Sequence, residues 1–320
     1  MADISLTASM RSNLLSLQQT QSLMDTTQER LSTGKKVNSA IDNPSSYYTA
    51  QSLTNRASDL SSLLDSMGQA VQTIQAANEG IEAITEFASQ AKAIANSAND
   101  TSDTTSVENY MKQFDEILKQ IDGIAKDSGY KGVNLLEKDQ ELKVVFNEDR
   151  SSSLTVKSDD ASSEGLGLHA ATGAWTSEAE KGNATEFKTN GKADAGAYVF
   201  NGDKVYEVKK NYDGTTNAVD FNTLVADGSL VETDYKLNDD KSKAIEVTIS
   251  KDKINTSITE VEDAVSKLRN MASVFGNNYS IVENREEFTE NLINVLEEGA
   301  DKLTLADMNE ESANMLALQT

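Results

Sequence analysis

An apolar repeat between Leu53 and Asn99 constrains this chain more than any other feature. Leu53, Leu60, Met67, Ile74, Ile81, Ala88 and Ala95 follow one another every seven residues, and Ala57, Leu64 and Val71 interleave until Asn78 takes their place. Alternating spacings of four and three make a heptad seam, and no proline interrupts it. At about 1.5 Å per residue such a helix is roughly 70 Å long. A compact domain cannot bury a rod of that length. Other long helices of the same chain, neighbouring chains, or both must cover the seam.

The rest of the chain extends this pattern on both sides. In residues 1–33, Met10, Leu17, Met24 and Leu31 recur every seven, and Leu14 and Leu23 widen the stripe. The intervening residues are mostly Ser, Thr, Gln and Asn, so this is a poor free-standing helix: either a frayed surface arm or, as the kept heptad phase favours, a helix that folds only when packed against partners. Gly34 is a helix stop, and Asn43-Pro44 marks a turn and a new start. Gly80 is expected to interrupt the long helix. A third helix over about 104–127 carries Tyr110, Phe114, Ile117, Ile121 and Ile124, and Tyr130-Lys131-Gly132 reads as a turn anchored by Leu135 and Leu136. At residue 141 the period changes to two. Leu142, Val144 and Phe146 share one strand face and Leu154 and Val156 another, with Asn147–Ser153 joining them as a hairpin.

Residues 161–250 are rich in Gly, Asp, Asn, Thr and Lys and form a small β-rich insertion. Strands are expected at 197–200, 204–208 and 244–249, with Asn201-Gly202 as a tight turn. Helix returns at about Asn255, where Ile258, Val261, Val265, Leu268 and Ala272 resume the seam, and Phe275, Tyr279, Val282, Phe288, Leu292 and Val295 continue it. The expected fold is mainly α with a β-rich insertion: a long antiparallel helical bundle or coiled coil built from both termini. The expected divisions are 1–43 (inner helix and linker), 44–160 (first half of the helical core with the hairpin), 161–250 (insert), 251–300 (second half of the core) and 301–320.

Composition excludes several functions. With no Cys the chain has no disulfide, thiolate metal site or cysteine nucleophile. A net charge of -23 argues against nucleic acid and anionic membrane. The N-terminus has no secretory signal pattern, and no run of about 18 apolar residues could span a bilayer. Gly34-Lys35-Lys36 lacks the second glycine of a phosphate loop. His169 has no ligand at metal spacing and reads as a surface imidazole, Asp159-Asp160 and Asp239-Asp240 as acidic turns, and Trp175 as a packing anchor. No catalytic constellation, cofactor site or metal site emerges, so the chain is read as a non-enzyme whose seams serve assembly.

Two stretches resemble a known family. Leu31-Ser32-Thr33-Gly34-Lys35-Lys36-Val37-Asn38-Ser39-Ala40-Ile41-Asp42, continued by Ile74-Gln75-Ala76-Ala77-Asn78-Glu79-Gly80, resembles the N-terminal signature of the flagellins. Leu305-Ala306-Asp307-Met308-Asn309-Glu310-Glu311-Ser312-Ala313 resembles the C-terminal one, and Tyr130-Lys131-Gly132 the turn after the family's third helix. The likeness covers about 1–136 and 254–320, around a variable insert.

The resemblance implies an extracellular subunit of the bacterial flagellar filament. It would be exported unfolded through the flagellar type III apparatus with its chaperone and would meet other flagellin subunits, the filament cap and the junction proteins. The insert would face solvent. Competing readings are the hook–filament junction protein and a surface binding module that uses the insert. The assembly seam is assigned to Met10, Leu17, Met24, Leu31, Leu53, Leu60, Leu64, Met67, Val71, Ile74, Ile81, Ile258, Val261, Val265 and Leu268.

Two departures follow. Family members continue past the Glu-Glu-Ser-Ala motif into a further apolar helix, and this sequence stops at Thr320, as a truncation, a fragment or an unusual member would. Without that helix residues 1–33 lack their family partner and are expected either to be disordered in a lone chain or to form contacts unlike the family's. The positions aligned with a Toll-like receptor contact of the family fall at Ser89, Ala93, Gln113 and Ile117, with no Arg between Arg56 and Arg150, so receptor recognition is expected to be weak.

Overall fold

The computed structural model describes residues 8–215 and 218–320; the first seven residues of the expected N-terminal helix lie outside them. The helices are α1 (Ala8–Thr33), α2 (Pro44–Asp100), α3 (Thr104–Asp127), α4 (Ser163–Leu166), α5 (Phe221–Ala226), α6 (Lys251–Thr304) and α7 (Met308–Gln319). The strands are β1 (Glu141–Val145), β2 (Ser153–Lys157), β3 (Thr176–Glu186), β4 (Lys192–Ala193), β5 (Tyr198–Asn201), β6 (Lys204–Val208), β7 (Tyr212–Asp213), β8 (Leu230–Thr233), β9 (Lys236–Leu237) and β10 (Lys243–Ile249). Mainly helical with a β-rich middle, this is the class the sequence implies. The chain divides into two compact units, one of residues 1–74, 141–156 and 277–320, the other of 75–140 and 157–276.

In the first unit, α2 starts where the turn chemistry places it. Asn43 Oδ1 accepts from the Ser46 N–H at 3.1 Å, and Pro44 occupies the first helical position, where its missing N–H costs nothing. Here α2 packs antiparallel on α6. Ala57, Leu60 and Leu296 are buried, flanked by Leu53, Leu63, Leu292 and Ile293. The β1–β2 hairpin buries Val144, Phe146 and Val156, the face the alternation assigns to it. Phe146 N–H donates to Ser152 C=O at 2.9 Å, the Arg285 guanidinium lies 5.4 Å from the Phe146 ring centre, and Arg56 pairs with Glu148 at 2.7 Å.

In the second unit, α2, α3 and α6 pack as three helices. Ala77, Ile81, Ile84, Ala88, Ala91, Ala95 and Ala98 of α2 are buried, as are Val107, Met111, Phe114, Leu118 and Ile121 of α3 and Ile254, Val261, Leu268 and Phe275 of α6. The expected break at Gly80 does not occur, because α2 runs on unbroken to Asp100. Close approach explains this glycine. A Cβ there would lie 2.2 Å from Ser128 Oγ and 2.7 Å from Leu136 Cδ1, so its absence lets the end of α3 and the following turn lie against α2. That turn is as the sequence places it. Tyr130 and Val133 exchange main-chain bonds of 2.9 and 3.0 Å around Lys131 (φ 48) and Gly132 (φ 85). Asn134, buried, closes the end of α3 by donating to Ala125 C=O and Lys126 C=O at 2.8 and 3.0 Å.

The main sheet runs β8-β6-β5-β3-β10-β9, antiparallel except for β3 against β5. β8 and β9 sit at opposite edges, yet only Asp234 and Tyr235 join them. Three Cα steps span at most about 11 Å, so the sheet must curl until its edges face each other. Inside the curl lie Ala184, Val205 and Ala244 with Tyr198, Phe200, Tyr235 and Leu237; on the other face Val199, Tyr206, Val208, Leu224 and Leu230 pack with Phe187 and Phe221.

Two sequence expectations need correction here. Asn201 belongs to the ladder, paired with Lys204, so the tight turn is Gly202–Asp203 with Gly202 at φ 66. The second is β3, an internal strand of eleven residues that periodicity does not signal. Of these, only Ala184 is buried, and cross-strand ion pairs to β10 (Lys181–Glu246, 2.6 Å; Lys243–Glu180, 2.8 Å) take the place of apolar alternation.

The acidic turns hold hydroxyls. Asp149, Asp160, Asp213, Asp227 and Asp240 each accept from the main-chain N–H and the hydroxyl of a Ser or Thr two residues on. At Asp240 the Ser242 hydroxyl and N–H together hold the carboxyl below its ordinary range.

Two outcomes test this packing. Gly80→Ala gains about 1 kcal/mol of helix propensity but meets Ser128, and a net loss of about 1–3 kcal/mol is expected in urea unfolding; a stabilised variant would show that the end of α3 is not held against α2. Ser257→Ala removes the acceptor of the Trp175 Nε1–H bond (2.9 Å) in a fully buried site. A loss of about 1–3 kcal/mol is expected, followed through the fluorescence of the single Trp; unchanged stability would mean water replaces the hydroxyl.

Candidate assembly surface

The two signature stretches meet in the first unit. Gly34 ends α1 at φ 71, its N–H donating to Arg30 C=O at 2.8 Å. The next residues run beside the end of α6. Lys36 N–H and Val37 N–H donate to Thr304 C=O at 2.8 and 3.2 Å, Ala306 N–H donates to Gly34 C=O at 2.9 Å, and Lys35 bridges Leu305. Lys36 Nζ donates to Lys302 C=O at 2.9 Å, a cation on the last carbonyls of a helix. The Asn38–Asp42 turn closes on one carboxylate. Bonds from the Ser39 and Asn38 N–H groups hold Asp42 below its ordinary range.

This junction sets α1 against α7. Asp307 caps α7 by accepting from Asn309 N–H at 2.9 Å, which fixes where α7 begins. Arg30 Nη1 lies 2.9 Å from Glu311 Oε1, and Glu311 is buried despite its charge; Thr27 of α1 is buried too. A carboxylate taken from water needs such a partner. For residues 8–33 the expectation of disorder in a lone chain is corrected: α7 packs on α1. The apolar stripe of α1 stays open toward its start, with Met10 51 % and Leu17 69 % exposed, while Met24 and Leu31 are half-buried.

The remaining seam residues are used within the chain. Leu60, Met67, Val71 and Ile74 are buried in the first unit, and Leu53 and Leu64 are half-buried there. Ile81, Val261 and Leu268 are buried in the second, with Ile258 and Val265 half-buried. Sequence reasoning folds Phe288 and Val295 into the same inner seam. Instead, Ile281, Phe288 and Val295 recur every seven residues along α6 and all are exposed, Phe288 at 58 % and Val295 at 64 %. The signal was present in the spacing, but periodicity alone does not tell an inner stripe from an outer one. Ile41 (92 % exposed) and Tyr48 stand out from the first unit as well, with no periodicity to announce them.

Of the receptor-aligned positions, Ser89 and Ala93 are exposed on α2, Gln113 is exposed on α3, and Ile117 is half-buried. His169 Nδ1 lies 3.0 Å from Glu260 Oε1 at the surface, and Trp175 is fully buried 5.0 Å from the Phe114 ring centre. Among the described residues no group of three or more His, Asp or Glu side chains is placed to hold a metal, and no helix is long and apolar enough to cross a membrane.

Comparison with known proteins bears on these surfaces. Residues 4–141 match the bacterial flagellin N-terminal helical region. Flagellin FljK of Caulobacter vibrioides is 32 % identical over 157 residues, 48 % of this chain and 57 % of FljK. Flagellin C of Rhizobium meliloti is 22 % identical over 307 residues, 93 % of this chain and 85 % of its own. A Bacillus cereus flagellin structure covers 69 % of this chain and 86 % of its own at a TM-score of 0.40 and 12 % identity. The matches to the Caulobacter flagellins FljK and FljO span 57 % and 62 % of those proteins' length. The helical region matched by the family model is the one whose signature closes on the end of α6, and the chain is similar to flagellins from several bacteria.

Proposed function

We propose that this chain is a structural subunit of the extracellular flagellar filament and polymerises with copies of itself. One observation carries the reading: apolar residues at heptad spacing stand exposed on α1 (Met10, Leu17) and again on α6 (Ile281, Phe288, Val295). A lone soluble chain gains nothing from such stripes, whereas they are what neighbouring helices bury on assembly. A carried net charge of -23 keeps the monomer soluble until then. The likeness to flagellins supports the filament subunit over the hook–filament junction protein and over a module that merely binds through its insert. Export through the flagellar type III apparatus with a chaperone, and contact with the cap and junction proteins, belong to the same proposal. So does weak Toll-like receptor recognition, since Ser89, Ala93, Gln113 and Ile117 offer no cation.

The inner and outer stripes separate folding from assembly. Phe288→Asp should leave helicity and urea unfolding unchanged within about 0.5 kcal/mol and stop concentration-dependent filament formation, followed by electron microscopy with circular dichroism on the same samples. Leu60→Asp, at a buried position, should unfold the first unit. Filaments formed by the Phe288 variant as readily as by the parent chain would overturn the role of the outer stripe. For the receptor, submicromolar binding of this chain to the receptor ectodomain would sink the expectation of weak recognition.

A further inference from the structure

The curled sheet of the second unit has a slit, and its geometry points to a ligand. β9 pairs with β10 only at Ala244 and Ile245. The chain then leaves that edge. Tyr235 packs edge-on to Tyr198 at 5.6 Å between ring centres, and Thr233 crosses to pair with Val205 on β6. β10 continues alone on this side to Ile249.

Its main-chain groups can be assigned by alternation. Ser242 C=O accepts from Ala184 N–H at 2.7 Å, and Ser250 N–H donates to Trp175 C=O at 2.8 Å, so even positions face β3. Lys243 C=O accepts from Asn238 N–H at 3.1 Å on the opposite side. Val247 and Ile249 therefore aim N–H and C=O away from β3, and no main-chain partner takes them up among the described residues. Along this edge, roughly 10 Å of strand, lies a cleft of about 840 Å³. Ser102–Thr105 bound it on the far side and Thr233–Lys236 at its end.

The charges lining the cleft are unequal in what they are free to do. Lys236 is committed to Glu108, and Lys251 donates to Asn99 C=O. Glu246 is paired with Lys181. Among the described residues neither the Asp103 nor the Asp234 carboxylate makes a salt bridge; Ser106, aided by the nearby Lys236 charge, holds Asp103 in its charged form. We propose that this slit binds an extended, lysine-rich peptide as an added strand on β10. The open main-chain edge calls for an extended backbone, and the two carboxylates call for cations.

The probe is the peptide acetyl-Lys-Val-Lys-Thr-Lys-Val-amide, titrated into the full chain while backbone amide resonances are followed by NMR. Saturable shifts centred on Val247 and Ile249, with slowed hydrogen exchange of both amides, are expected. N-methylation of alternate peptide residues should abolish them, and Asp234→Lys, at an exposed position, should weaken binding about fivefold. Unshifted amides at saturating peptide, or equal binding of the N-methylated peptide, would overturn the proposal. So would Val247 and Ile249 amides already protected in a dimer of the free chain, which would assign the slit to a second copy. None of these outcomes bears on filament formation.

Discussion

A 57-residue helix carries an apolar stripe that it cannot bury by itself, and the structure depends on how that stripe is covered. The partner is α6, at 54 residues nearly as long. In the first unit the cover is α6 together with a hairpin; in the second it is α6 together with α3. The buried positions of α2 follow this change. Large side chains such as Leu60, Met67 and Ile74 give way to Ala88, Ala91, Ala95 and Ala98, which let helices approach closely. Gly80 takes this to its limit, since even a methyl group there would collide with Ser128.

Long helices need defined ends, and the signatures near the two ends of the chain supply them. Gly34 stops α1 with a positive φ, Asn43-Pro44 starts α2, and Asp307 caps α7. What joins them is main-chain bonding between residues 34–37 and 304–306, which asks little of side chains beyond the glycine. The side-chain specificity lies one turn away, in the Arg30–Glu311 pair. Its carboxylate is buried, so losing the arginine would strand a charge and penalise α1 leaving α7. The pair therefore specifies one docking of these helices over others while contributing modestly to net stability.

Much of this was legible in sequence because helices announce themselves. Heptad spacing placed α2, α3 and α6, and turn chemistry placed the Tyr130–Val133 turn and the start at Pro44. Three things were not legible, each for a physical reason. Gly80 looked like a break because propensity cannot report that a neighbour needs the space. Strand β3 was invisible because ion pairs to β10, which are non-local, replace its apolar alternation. Phe288 and Val295 were assigned to the inner seam because a period of seven gives spacing along a helix but leaves open which of two stripes faces the partner. Only the burial of Leu296, with Leu292 half-buried beside it, decides that.

The second unit also shows why a segment so poor in apolar residues holds a fold. The β5–β6 hairpin uses both of its faces: Val199 and Tyr206 serve one cluster, Phe200 and Val205 the other. Between strands, Asp side chains bind the N–H and hydroxyl two residues on, so each turn is held by local bonds rather than by core packing. Local bonds cost little chain entropy, because the groups they join are already neighbours. They leave carboxylates charged at the surface and main-chain edges only partly covered. The uncovered run of β10 is thus a consequence of the same scheme: a sheet curled by a two-residue link between its outermost strands cannot close along its whole length, and where it stays open its unpaired N–H and C=O groups stand ready for another strand.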